Sequence, residues 1–297
     1  METVMLKNNL RVLGKEEDYY RLANRGMTVY ALLTFIIALT SGMLFNIHPY
    51  LPMILGILIA LIGTLFYFSL KDVSPNNQIK TNINEKPKRL KLSKIMGIIL
   101  ISYAIFYGVV TVGQQNAKLF IQYELTDLYT PTKVSLYLSV IVACSRFSRL
   151  VGNVIFGKIY TYLKNRALLL LTSLLFASFL FLLGGYFCSL TWLKFILMTL
   201  GFCIILGVRD PFRLYTQDLI FTIISPEEQQ EAISYIQFSR KIGTMICSLI
   251  VSSLLLKWEM NYVISGISVL AFIEILLALK LFNMIESNKQ DRLVEKG

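Results

Sequence analysis

The sequence predicts an all-α integral membrane protein with eight transmembrane helices, and three observations carry that prediction. Of 297 residues, 55% are apolar and only 16% charged, with a mean hydropathy of +0.61. A soluble chain carries roughly 25% charged residues. The apolar residues come in unbroken runs of about 20, enough for one helical crossing of a ~30 Å hydrocarbon core. Backbone polar groups must be satisfied within each run, which makes it a helix, and a membrane barrel would need alternating segments of about ten residues instead.

Taken in order, the spans are 28–47, 51–70, 95–113, 134–157, 167–188, 193–212, 235–256 and 262–284. Residues 1–26, with "KEEDYYRLANRG", are polar and lack the apolar centre of a signal peptide. Residues 71–94 form the longest polar gap and hold "SPNNQIKTNINEKPKRLKLSK". Rich in Asn, Pro and Lys, this stretch reads as a basic linker between two helical groups, 1–70 and 95–297. Ahead of the seventh span, Ser225, Pro226 and Glu228 stand as cap, first helical residue and third helical residue. That pattern predicts a helix from about Pro226.

Basic residues set the orientation. With the N-terminus inside, Lys7, Arg11, Lys15, Arg21, Arg25, the linker cations, Lys158, Lys164, Arg166, Lys289, Arg292 and Lys296 fall inside. Only Lys118, Lys133, Lys194 and Lys257 fall outside, so both termini are expected to be cytosolic, in a plasma membrane. Trp192 and Trp258 land at the outer interface, as an aromatic belt requires. The net charge of +11 thus fits an anionic inner leaflet, not nucleic acid.

Metal and cofactor chemistry finds no foothold. His48 is the single histidine, and Cys144, Cys188, Cys203 and Cys247 sit in apolar runs without a CxxC pair. The thiols are expected as small core residues, and no metal site or cofactor is expected. Glu124 and Asp127 lie in "YELTDLYTPT", where solvated charge is expected, and no Ser/His arrangement supports an enzyme.

Ionisable and polar groups at membrane depth are costly and mark candidate sites. In the fourth span Ser139, Arg146, Arg149 and Asn153 are spaced by seven, three and four, which puts them on one helical face. Arg146 stands near the midplane, where an inward, cavity-facing role is expected. Tyr103, Tyr107, Thr111 and Gln114 form a weaker stripe on the third span. Arg209 and Asp210 lie near the cytosolic third of the sixth span, Asp218 follows it, and Arg240 and Lys241 reach a similar depth in the seventh. Opposite charges sharing a level relieve part of each other's desolvation, so these residues are expected as a cytosolic charge cluster that either seats helices or gates a path. Pro211 is expected to open the helix locally and release a carbonyl.

This order of features resembles the major facilitator superfamily, in its helices five to twelve. Residues 25–70 look like the fifth and sixth helices, followed by the central linker and a six-helix C-terminal half. Gly157 and Arg166 fit the ends of the family's short inner-loop motif, while Thr161 and Lys164 depart from it. "RDPFRLYTQDLIF…SPEEQQEAISYIQFSRKIG" looks like the tenth helix, inner loop and eleventh helix. The resemblance implies a partial fold, with 1–70 as the remnant of an N-terminal half and four helices missing. It implies secondary active transport of a small polar solute by alternating access, with a coupling ion, and a chain incomplete or inactive by itself. No GxxxxGK[ST] loop occurs, which removes a built-in ATP motor. The alternative is a non-transporting scaffold or regulatory subunit paired with a membrane partner that supplies the missing helices.

Overall fold

The computed structural model describes residues 2–48, 50–69, 94–163, 166–225 and 228–294, and among them every regular element is helical. The helices are α1 (Glu2–Val12), α2 (Tyr19–Ile47), α3 (Leu51–Ser69), α4 (Lys94–Thr126), α5 (Pro131–Leu163), α6 (Ala167–Phe187), α7 (Thr191–Ile223), α8 (Gln229–Leu255) and α9 (Met260–Val294). The chain divides into two compact units, Met1–Lys88 and Arg89–Gly297.

In the first unit α1 folds back near the start of α2. Arg11 Nε pairs with Glu16 Oε1 at 2.5 Å, and Lys7 Nζ donates to the Glu16 carbonyl at 3.2 Å. Lys7 also lies 5.5 Å from the centre of the fully buried Tyr19 ring. Helix α2 starts at Tyr19, not at the expected residue 28, because the polar residues before Thr28 remain good helix formers outside an apolar run.

The second unit holds six helices long and apolar enough to cross a membrane: Lys94–Thr126, Tyr137–Tyr160, Ala167–Phe187, Thr191–Ile223, Gln229–Leu255 and Met260–Ser287. Several outrun the expected spans, with α4 reaching Thr126 instead of 113 and α7 reaching Ile223 instead of 212. Hydropathy marks where a helix lies in hydrocarbon, while the helix itself continues into water. Helix α8 begins at Gln229 with Glu228 as its N-cap, three residues past the expected start. No side chain caps it; Ser225 Oγ instead donates to Glu228 Oε2 at 3.1 Å. Pro226, Glu227, Lys164 and the linker 71–93 lie outside the described residues.

Packing in this unit has a symmetry. Helix α4 packs on α7, α8 and α9, and α7 packs on α4, α5 and α6; α6 also packs on α9. Exchanging α4, α5 and α6 with α7, α8 and α9 maps the principal contacts onto one another. The packing thus relates α4–α6 to α7–α9 as two three-helix repeats.

The same relation recurs at atomic level. Ser148 Oγ on α5 donates to the Cys203 carbonyl of α7 at 2.8 Å, and Ser239 Oγ on α8 donates to the Leu100 carbonyl of α4 at 2.5 Å. Four residues on, a Cβ at Gly152 would fall 2.3 Å from the Gly207 carbonyl oxygen, and one at Gly243 would fall 2.1 Å from that of Ala104. Phe147-Ser148-Arg149-Leu150-Val151-Gly152 and Phe238-Ser239-Arg240-Lys241-Ile242-Gly243 are thus equivalent segments, 91 residues apart. Serine bonds the neighbouring backbone and glycine lets it approach, the small-residue contact that substitutes for hydrophobic association between helices in lipid.

Two side-chain links complete the bundle. Lys194 Nζ at the start of α7 meets Glu124 Oε2 near the end of α4 at 2.5 Å, and Ser102 Oγ of α4 donates to Glu274 Oε1 of α9 at 2.5 Å. Glu274 is 0% exposed. Glu274→Ala should therefore cost about 1–3 kcal/mol by stranding the buried serine, and Glu274→Gln, which keeps an acceptor, should cost less. Thermal unfolding in detergent reads both.

Candidate functional site

The site grows from the two equivalent serine–glycine segments, each of which places an arginine one residue after its serine. On α5, Arg149 Nε meets Asp210 Oδ2 of α7 at 2.5 Å and Arg149 Nη2 meets Oδ1 at 3.0 Å. This is a two-point pair with Arg149 8% and Asp210 3% exposed. Asn153 Nδ2, one turn along α5, adds a 3.4 Å contact to Oδ2. Planar guanidinium and carboxylate match in this way, and a shared burial makes each ion tolerable to the other.

On α8, the equivalent Arg240 faces α4. Its guanidinium carbon lies 5.4 Å from the centre of the Tyr107 ring. Since Gly207 corresponds to Ala104, Asp210 corresponds to Tyr107, three residues on in each helix. One repeat therefore offers its arginine a carboxylate, and the other offers a phenol. Tyr107 hydroxyl donates to the Arg209 carbonyl at 3.2 Å, which brings the two corresponding positions level at the α4–α7 contact.

Around Tyr107 the walls are aromatic and the charge is basic. Phe106 and Phe212 stack at 3.5 Å with their planes 3° apart, and Tyr103 lies 4.7 Å from Tyr107 and 5.9 Å from Phe212. Arg209 Nη1 donates to Gln114 Oε1 at 3.4 Å. Arg213 lies within electrostatic reach of both tyrosines, and its Nε is buried without a hydrogen-bond partner. Among the described residues none of Arg209, Arg213 and Arg240 is in an ion pair. No family model matches the chain, and no curated protein or solved structure matches it either.

Placement of the expected residues divides them. Tyr103, Tyr107, Thr111 and Gln114 share one stripe of α4, the tyrosines buried and Thr111 and Gln114 half-buried. On α5, Arg149 and Asn153 are buried and Arg146 half-buried, but Ser139 is exposed and two turns from the nearest of them. The expected charge cluster is not one cluster. Asp210 joins Arg149, whereas Asp218 lies two turns further along α7 and accepts a hydrogen bond from Tyr160. Lys241 is exposed, because one residue beyond Arg240 turns it about 100° away from α4. Gly157 is half-buried near the end of α5, and Arg166 is an exposed residue preceding α6. Pro211 does not break α7, which runs through it. Pro211 has no N–H, so the Gly207 carbonyl lacks its intrahelical donor, and Gly152 meets that carbonyl from α5.

Two other expectations are corrected. Cys144 is exposed and the other thiols are at least half-covered, so the four are not one core set. Glu124, expected as solvated, is the partner of Lys194. It lines a recess of about 660 Å³ at the end of α4, together with Gln122, Asp127, Tyr186, Glu259 and Asn261.

Tyr160, Glu274 and the helix-joining serines Ser102, Ser148 and Ser239 are among the polar residues that sequence reasoning passed over. Glu274 carried a usable signal, an acid in the middle of the last apolar run.

Proposed function

We propose that the protein is a secondary transporter that moves a small polar solute by alternating access, in the manner the resemblance to the major facilitator superfamily implies. The supporting observation is the pair of related three-helix sets whose charged residues flank the α4–α7 contact, Arg149 with Asp210 on the α5 side and Arg240 on the α8 side. Internal repeats give a membrane protein two related conformations, and polar groups at their junction give a solute its contacts. In this proposal α2 and α3 add two further crossings to the six of the second unit. Both termini lie in the cytosol, the membrane is the plasma membrane, and a coupled ion gradient supplies the energy. Alternating access also needs a second bundle against which the repeats move, supplied by a membrane partner.

Counterflow in proteoliposomes tests this. Reconstituted together with the membrane partner it co-purifies with, the chain should carry at least one of radiolabelled benzoate, benzylamine and glucose in a saturable way; no saturable flux of any of them by that complex would overturn the proposal. Arg146, nine residues into Tyr137–Tyr160, lies too deep for its guanidinium to reach water past lipid. Arg146→Ala should therefore abolish that flux or change its solute preference while the chain still inserts, as read by membrane fractionation.

A second reading has its own observation. Helices α5 and α8 are the least covered spans of the second unit. A scaffold subunit would use them to hold partner helices, and native-membrane cross-linking from α8 would capture that partner at one-to-one stoichiometry.

A further inference from the structure

The geometry points to Arg240 as the binding site for a small organic carboxylate, which takes the place that Asp210 holds against Arg149. This names the solute class of the transport site and rests on that reading for its biological sense.

The inference starts from the broken equivalence of the two repeats. Both segments carry Phe, Ser and Arg, then Val or Ile, then Gly, in the same order. Both serines bond a carbonyl of the neighbouring helix, and both glycines press on its backbone. The backbone therefore delivers Arg149 and Arg240 to equivalent places. Only the partner differs. Arg149 meets the Asp210 carboxylate at two points, while Arg240 meets the Tyr107 ring at the corresponding residue.

A ring face attracts a cation, but it satisfies none of the five N–H donors of a guanidinium. Arg240 is half-buried, and among the described residues no ion pair holds its donors. Arg209 and Arg213 add positive charge around Tyr107, and among the described residues none of the three arginines is in an ion pair; Asp210, the acid within electrostatic reach of Tyr107, is held at two points by Arg149. An anion from outside the chain restores the balance that the first repeat achieves internally. The form of the first pair argues for a carboxylate: a flat two-oxygen group that matches the guanidinium fork. Gln114 and Thr111, both half-buried on the same stripe of α4, supply neutral polar contacts beside the charges. Selection against cations follows from the three arginines, since a like charge brought beside them is repelled.

The test installs the missing acid. Benzoate is the probe, and benzylamine is its cationic shape-mate. The purified full chain in detergent should bind radiolabelled benzoate saturably and should not bind benzylamine. Tyr107→Asp supplies Arg240 with its own carboxylate and should weaken benzoate binding at least ten-fold relative to Tyr107→Asn, which has the same size without the charge. Arg240→Gln should lose binding to a similar degree and covers the case in which Tyr107→Asp does not fold.

Equal benzoate affinity in Tyr107→Asp and Tyr107→Asn would overturn the inference. So would unchanged binding in Arg240→Gln, or a wild-type chain that prefers benzylamine or responds only to inorganic phosphate. Binding is measured without flux, so the two proposals fail separately. Benzoate binding with no counterflow removes the transporter and leaves the site. Counterflow of glucose or benzylamine without benzoate binding removes the site and leaves the transporter.

Discussion

Asp210→Ala is expected to destabilise the second unit by about 3–5 kcal/mol, the cost of stranding one charge of a buried pair. The effect comes from Arg149, which stays buried among α5 and α7 with its two short contacts gone. Arg149→Ala should cost a similar amount for the mirror reason. The double replacement Arg149→Met with Asp210→Leu should be much milder than either single change, because apolar residues of similar volume need no counter-charge. A double-mutant cycle on thermal or denaturant unfolding in detergent would show a coupling of several kcal/mol. Additive single changes would mean that the two side chains do not depend on each other.

The second large effect belongs to Gly243. A Cβ there would sit 2.1 Å from the Ala104 carbonyl oxygen, which is backbone and cannot swing aside. Gly243→Val should force α8 away from α4 and cost at least about 3 kcal/mol, the upper end of overpacking in a core. Gly184 on α6 makes the control, since a Cβ there meets nothing within 4 Å. Gly184→Ala should be neutral or stabilising by up to about 1 kcal/mol through helix propensity alone. Size-exclusion profiles and melting temperatures of the two variants would separate them. Equal behaviour would show that the α4–α8 contact is loose.

These two sites also show what a sequence can disclose. The apolar runs mark the crossing helices because hydrocarbon demands them, residue by residue. Helix ends escape, as with Thr126 and Ile223, because a polar residue continues a helix in water without any change of composition. Depth along each span was sufficient to bring Asp210, Arg149 and Arg240 to one level. It could not say which pairs with which, since that depends on how each helix is rotated about its axis. Lys241 shows the point: adjacent to Arg240, it faces away. The repeated segments beginning at Phe147 and Phe238 held the missing information. Once the two serine–arginine–glycine patterns are aligned, they fix the rotation of α5 against α7 and of α8 against α4 together.

The interleaved packing of the second unit also bears on its synthesis. The main neighbours of α4, α5 and α6 lie in α7, α8 and α9, and the first three helices touch one another little. As the chain leaves the ribosome, α4 and α5 are made before Asp210 and Glu274, the later partners of Arg149 and Ser102. At about 5–20 residues per second, the 61 residues from Arg149 to Asp210 take roughly 3–12 s and the 172 from Ser102 to Glu274 roughly 9–34 s. A nascent protein stalled between Phe187 and Thr191 would hold the Arg149 guanidinium without Asp210, its two-point partner in the finished bundle.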